Sequence, residues 1–185
     1  MNLKHVLDFF YELGHLKKIP RSGWPHLGIK NPESDADHVM RAAQIAYTLA
    51  VMEGHPNPCE VCTIVVFHEI DETRGGDQNA VTKKYVTVDR KRIVRDETTA
   101  LGELGNKIAA LWQECEDHQT SSGKIAKDAD ILECMMTARE LMEQGHDDAV
   151  LWIKSNQIKL ETASAKMLGE ELLKTDPHEW WKNLK

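Results

Sequence analysis

The chain has 185 residues, 41% of them hydrophobic and 29% charged, which suits a globular protein and excludes wholesale disorder. With 23 basic against 30 acidic residues the formal net charge is -7, so a surface that grips duplex nucleic acid through its phosphates is not expected. No apolar run approaches the roughly 20 residues that span a bilayer, and Met1–His5 do not open a signal peptide; one cytoplasmic domain over residues 1–185 is expected, with no membrane partner.

Taken in order, Leu3, Val6, Leu7, Phe10 and Leu13 recur at helical spacing, and Gly14 is the expected stop. Pro20, Pro25 and Pro32 then keep residues 17–35 out of a long helix. A second helix is predicted from Ser34 or Asp35 to about Glu53. The third has a capping Asn57, Pro58 in its first turn and Glu60 at its positive end. Its apolar body (Val61, Ile64, Val65, Phe67) is expected to be central and to deliver His68-Glu69-Ile70-Asp71-Glu72 at its end. Gly75-Gly76-Asp77 breaks the chain. The basic stretch from Lys83 to Arg95 reads as a solvated face or, by a slight preference, a lid over an anionic substrate. Helix resumes near Asp89 and passes Leu101, and more are predicted at 104–117, 122–144, 147–174 and 177–183. No pair of alternating strands is present, so the fold class is all-α, a multi-helix bundle around one core. Cys59 and Cys62 lack the second pair of a zinc ribbon and are expected as buried thiols in a reducing compartment. Trp180 and Trp181 are apolar enough to dock onto the body or onto a second subunit.

Four donors are spread over three of these helices: His38, the pair His68 and Glu69, and Asp130. Imidazole nitrogen and carboxylate oxygen suit a divalent Mn, Fe, Co, Ni or Zn ion, and ligands from several helices suit the interior of a bundle. Spacing alone does not establish that they converge.

The stretches carrying these residues resemble a family. Glu33-Ser34-Asp35-Ala36-Asp37-His38 is similar to the first motif of the HD-domain metal-dependent phosphohydrolases. His68-Glu69-Ile70-Asp71-Glu72, followed by Gly76-Asp77, resembles the second, and Lys127-Asp128-Ala129-Asp130 the last. Arg21-Ser22-Gly23-Trp24 resembles an element of the 5'-deoxynucleotidase-like subgroup. The resemblance implies an HD-domain-like bundle holding one divalent transition metal on His38, His68, Glu69 and Asp130, with Asp128 the competitor for the last place. It implies Glu72 as catalytic acid or base, Asp77 as a residue that positions water, and Arg21 and Trp24 as nucleotide contacts. Glu69 departs from the pattern, which has aspartate there.

On that footing the expected reaction is hydrolysis of deoxyribonucleoside 5'-monophosphates to nucleoside and phosphate. Glu72, four residues after His68, would share a helix face with it. Arg21 would pair with the phosphate, with Arg41 a second candidate, and Trp24 would offer a flat surface to base or sugar. A homodimer is expected because similar family members often are dimers. Three alternatives remain: the same fold acting on a nucleoside triphosphate or cyclic nucleotide, a non-catalytic nucleotide-binding regulatory module, and a purely structural helical protein.

Overall fold

The computed structural model describes residues 2–182 and 184. Helix α1 spans Leu3–Leu13 and starts at Asn2, whose side chain accepts the N–H of Lys4. Helix α2, Asp35–Met52, opens with a reciprocal capping box between Ser34 and Asp37. Asn57 caps α3, Pro58–Val66, and Asp89 caps α5, Arg90–Thr98. Between them lies the short α4, Glu72–Gly75. Helix α6 spans Glu103–Asp117, and α7, Ser121–Glu143, begins at a capping Thr120. Helices α8, Val150–Gln157, α9, Ala163–Leu172, and α10, Glu179–Lys182, complete the described chain. Among the described residues the one pairing outside helices and turns is an isolated bridge between Pro20 and Ser34, so the fold is all-α.

Small residues set the packing. Ala42, Ala43, Ala46 and Ala50 line the buried face of α2, and Ala126, Ala129 and Ala138 that of α7. Alanines on facing helices let the axes approach, so α2, α3 and α7 pack together and α8 and α9 close the far side. A second cluster of Phe9, Ile70, Val94, Leu101, Ile108 and Trp112 joins α1, α5 and α6 to the turn after α3. Gly123 allows the closest approach of α6 and α7: a Cβ there would lie 2.6 Å from the Glu114 carbonyl oxygen.

Three expectations are corrected. Helix α3 stops at Val66, and residues 67–71 form turns, so His68 and Glu69 lie beyond the helix rather than on its last turn. The reason is local: the Val65 carbonyl accepts from the His68 N–H at 3.3 Å and the His68 Nδ1–H at 2.6 Å, which replaces the bond that would continue the helix. The expected helix over 147–174 is split, because the Asp128 carboxylate on α7 accepts the N–H groups of Glu161 and Thr162 and the Thr162 hydroxyl, holding the chain open before α9. Cys59 is exposed and Cys62 half-buried, so they are not core thiols; all four cysteines are free. Trp180 is exposed, and the Trp181 ring lies tilted against that of His178, with ring centroids 6.3 Å apart. Residue 183, the end of the expected last helix, lies outside the described residues.

Candidate metal centre and substrate cavity

The capping box places His38 in the first turn of α2, entirely buried. The turn after α3 presents His68 and Glu69, and α7 presents Asp130. One donor atom from each lies within 4.8 Å of all the others. His38 Nε2 is 3.2 Å from Asp130 Oδ1 and 3.7 Å from Glu69 Oε1; His68 Nε2 is 3.4 Å from Glu69 Oε1 and 3.8 Å from Asp130 Oδ1. The buried His38 Nε2, His68 Nε2 and Glu69 Oε2 have no hydrogen-bond partner. Buried polar atoms left unpaired are costly, and two imidazoles with two carboxylates around one point are what a divalent ion requires. The donor set therefore fits a metal.

The atoms behind the donors support the same reading. His68 Nδ1–H donates to the Val65 carbonyl, which can only accept, so Nε2 keeps its lone pair for the centre. His38 Nδ1 meets Glu133. Burial and Arg21 would push the His38 pKa down, but Asp130 and Glu133 outweigh them and it rises to about 9. A divalent cation would satisfy the same carboxylates without that proton. Burial would raise Asp130 too, yet Lys127, whose Nζ is 2.7 Å from Oδ2, and the two imidazoles hold it well below the usual carboxylate range. Glu69 is likewise held low, its neighbours His68 and Arg21 outweighing its burial.

His68, Glu69 and Asp130 floor a cavity of about 820 Å³, within the size range of small-ligand sites. Arg21, Lys83, Arg90, Lys127 and Lys159 line it around the acidic floor, an arrangement that admits an anion above carboxylates that would hold a cation. Arg21 directs NH1 at Glu69 (3.4 Å), Asp35 (3.9 Å) and Asp77 (4.0 Å). Asp77 Oδ2 accepts the Ser22 N–H at 2.5 Å, and Asn79 donates to the Ser22 carbonyl and hydroxyl, so the loop after Gly76 is tied to the segment that carries Arg21. Glu72 is buried beside Glu69 and Asp35. Burial, then the Glu69 charge, pushes its pKa far above the usual carboxylate range, so Glu72 carries a proton in the metal-free chain.

Of the residues singled out from the sequence, His38, His68, Glu69 and Asp130 come together, and Arg21, Glu72 and Asp77 stand beside them. Trp24 borders the cavity but is almost wholly buried; its indole N–H donates to Glu33 at 3.0 Å and its ring packs 5.6 Å from that of Trp152. Its flat face is thus largely used by the core. Arg41 is not on the cavity wall. Its guanidinium is bound to Glu133 (2.9 Å), Glu140 (2.7 Å) and Thr137, and it faces a separate groove between α2, α7 and α9. Asp128 is turned away to the segment before α9, where its carboxylate accepts from the Glu161 and Thr162 N–H groups and the Thr162 hydroxyl, and it is Asp130 that joins the donor cluster. The basic stretch divides: Lys83 faces the cavity, Arg90 is pinned by Asp71 and Glu116, and Arg92 and Arg95 pair with Asp96 in solvent.

Sequence reasoning missed Asp35, Lys127 and Glu133. Asp35 is fully buried with neither carboxylate oxygen accepting a hydrogen bond, and burial pushes its pKa up to about 7; the sequence offered it only as a possible helix start. The signal for the other two was spacing: Lys127 and Glu133 each stand three residues from Asp130, one helical turn to either side.

This bundle and its His-Glu-Asp centre are those of an HD domain. The HD-domain family matches residues 13–168, and the chain belongs to it. It is 30% identical over 171 residues to the 5'-deoxynucleotidase HDDC2 of Dictyostelium discoideum, covering 86% of each protein. It is 30% identical over 145 residues to the 5'-deoxynucleotidase HDDC2 of Danio rerio, covering 76% of this chain and 72% of that one. Among solved structures, a structural-genomics crystal structure 28% identical to it matches with a TM-score of 0.81, over 96% of this chain and 99% of the other.

Proposed function

We propose that this chain is a metal-dependent phosphomonoesterase that hydrolyses deoxyribonucleoside 5'-monophosphates to nucleoside and phosphate. The observation that carries the reading is the convergence of the His38, His68, Glu69 and Asp130 donor atoms, with both Nε2 atoms unpaired, at a cation-lined cavity whose floor includes His68, Glu69 and Asp130. The substrate class is supported by the relatives named 5'-deoxynucleotidases. A divalent transition ion held by these four residues would polarise the phosphoryl group and lower the pKa of a water. Mn, Co, Ni, Fe and Zn all suit the nitrogen and oxygen donors.

The remaining chemistry belongs to the protein. Arg21, fixed among three carboxylates, orients the phosphate with a planar set of donors. A water oxygen bonds to phosphorus as the bond from phosphorus to the 5'-oxygen breaks. Glu72 carries the proton that the leaving 5'-oxygen requires, and recovers one from the attacking water. Asp77 holds the Arg21 segment through Ser22 and orders water at the rim. The four free thiols support a cytoplasmic location, and exposed Trp180, Met167 and Leu168 support a homodimer.

The test is phosphate release from deoxyribonucleoside and ribonucleoside 5'-monophosphates by chelator-stripped protein given one ion at a time. Metal-dependent release, faster for the deoxy series, is expected. No release with any ion, from protein that still binds nucleotide, would point to a regulatory module instead.

A further inference from the structure

We infer that Glu133 and Arg41 form a positioning pair that sets His38 for metal binding; this rests on the reading of the four-donor cluster as a metal site. The geometry is a two-layer ladder. On α2, Arg41 lies three residues after His38; on α7, Glu133 lies three residues after Asp130. Each pair is therefore stacked one helical turn apart on a single face. The upper layer is His38 and Asp130, with Nε2 and Oδ1 3.2 Å apart at the centre. The lower layer is Arg41 and Glu133, joined at 2.9 Å through Nε and 2.8 Å through NH2. The diagonal between them is the bond from His38 Nδ1 to Glu133 Oε2.

Glu133 is 1% exposed and His38 0%. A buried carboxylate without counter-charge would take up a proton or turn away. Here Oε1 accepts from Arg41 and from Thr137 Oγ1, at 3.1 Å, so the guanidinium supplies the counter-charge and the side chain is fixed. An ionised Glu133 can only accept. It therefore holds the proton of neutral His38 on Nδ1, leaves the Nε2 lone pair facing Glu69 and Asp130, and makes the imidazole a stronger donor. Arg41 is in turn held by Glu140 at 2.7 Å, so the ladder is anchored about three turns along α7 from Asp130. Arg41 then acts through Glu133 and His38 rather than on the phosphate.

The experiment is Co(II) affinity by competition with a chromophoric chelator, without nucleotide, together with the visible spectrum of the Co(II)-loaded protein. Glu133→Gln should weaken Co(II) binding by roughly 10- to 100-fold and alter the spectrum. Arg41 is partly exposed, so Arg41→Gln should fold even where Glu133→Gln does not; it should weaken binding by less, and Arg41→Lys should recover part of the loss. A purely structural pair would lower the melting temperature of the metal-free protein and leave the affinity and spectrum of its folded fraction unchanged. Wild-type affinity and spectrum in the folded variants would overturn the inference. Because no substrate is present, a wild type that binds Co(II) but releases no phosphate would sink the proposed activity and leave this result standing.

Discussion

Glu69 carries one methylene more than the aspartate expected at its position, and the turn it occupies explains how that length is accommodated. A residue on the last turn of α3 would project from a fixed helical radius. Beyond Val66 the backbone is free of that constraint, and the longer side chain brings Oε1 to the cluster while also meeting Arg21 at 3.4 Å. Glu69→Asp should pull the carboxylate back by roughly 1.5 Å. The expected outcome is weaker metal binding and a kcat lower by about tenfold or more, since displacements of this size are costly at a reacting centre; a rise in kcat would show that the glutamate is a compromise. Glu72→Gln removes the proton-transfer group and keeps its shape. It should lower kcat by about 10²- to 10⁴-fold with metal content unchanged by elemental analysis. Metal loss in that variant would instead make Glu72 a ligand.

At the level of helices, local signals and distant ones had different fates. The starts of α2, α3 and α5 were readable because the capping side chain sits within three residues of the N–H it accepts. The gap between α8 and α9 was not, because the group that imposes it, Asp128, lies 33 residues earlier in the chain. The same fact separates two aspartates that the sequence leaves close rivals. Asp128→Ala should cost about 1–3 kcal/mol in urea denaturation through the hydrogen bonds lost to Glu161 and Thr162 and leave metal stoichiometry intact. Asp130→Ala should abolish metal binding and turnover together. The four donors were legible as residue types in the right order. The Glu133 and Arg41 ladder was not, because an i, i+3 pair on each of two helices carries no meaning until those helices are known to face each other. Arg41 also shows the cost of assigning charge without direction: it looked like a phosphate partner and turns to the opposite groove.

Across the whole molecule, the second hydrophobic cluster adjoins a buried acid that makes stability depend on pH. Glu97 is buried against Thr73, with Arg74, Glu12 and Asp71 nearby, and burial pushes its pKa up to about 7 from an ordinary 4.5. The folded state thus holds a proton that the unfolded state has released. This contribution to stability is full below pH 4.5 and is lost as pH rises through about 7. Glu97→Gln, which stays neutral, should show a smaller drop in urea midpoint between pH 5 and pH 8 than wild type, both measured in chelator; an equal drop would place the titration elsewhere. The central claim, however, is that one ion on His38, His68, Glu69 and Asp130 makes this bundle an enzyme. The most direct measurement is phosphate release from a deoxyribonucleoside 5'-monophosphate as stripped protein is titrated with Mn(II) or Co(II). The account predicts no release in chelator, then a rise that levels off at one bound ion per chain. Full activity in chelator, or an ion bound at one per chain without any release, would contradict it.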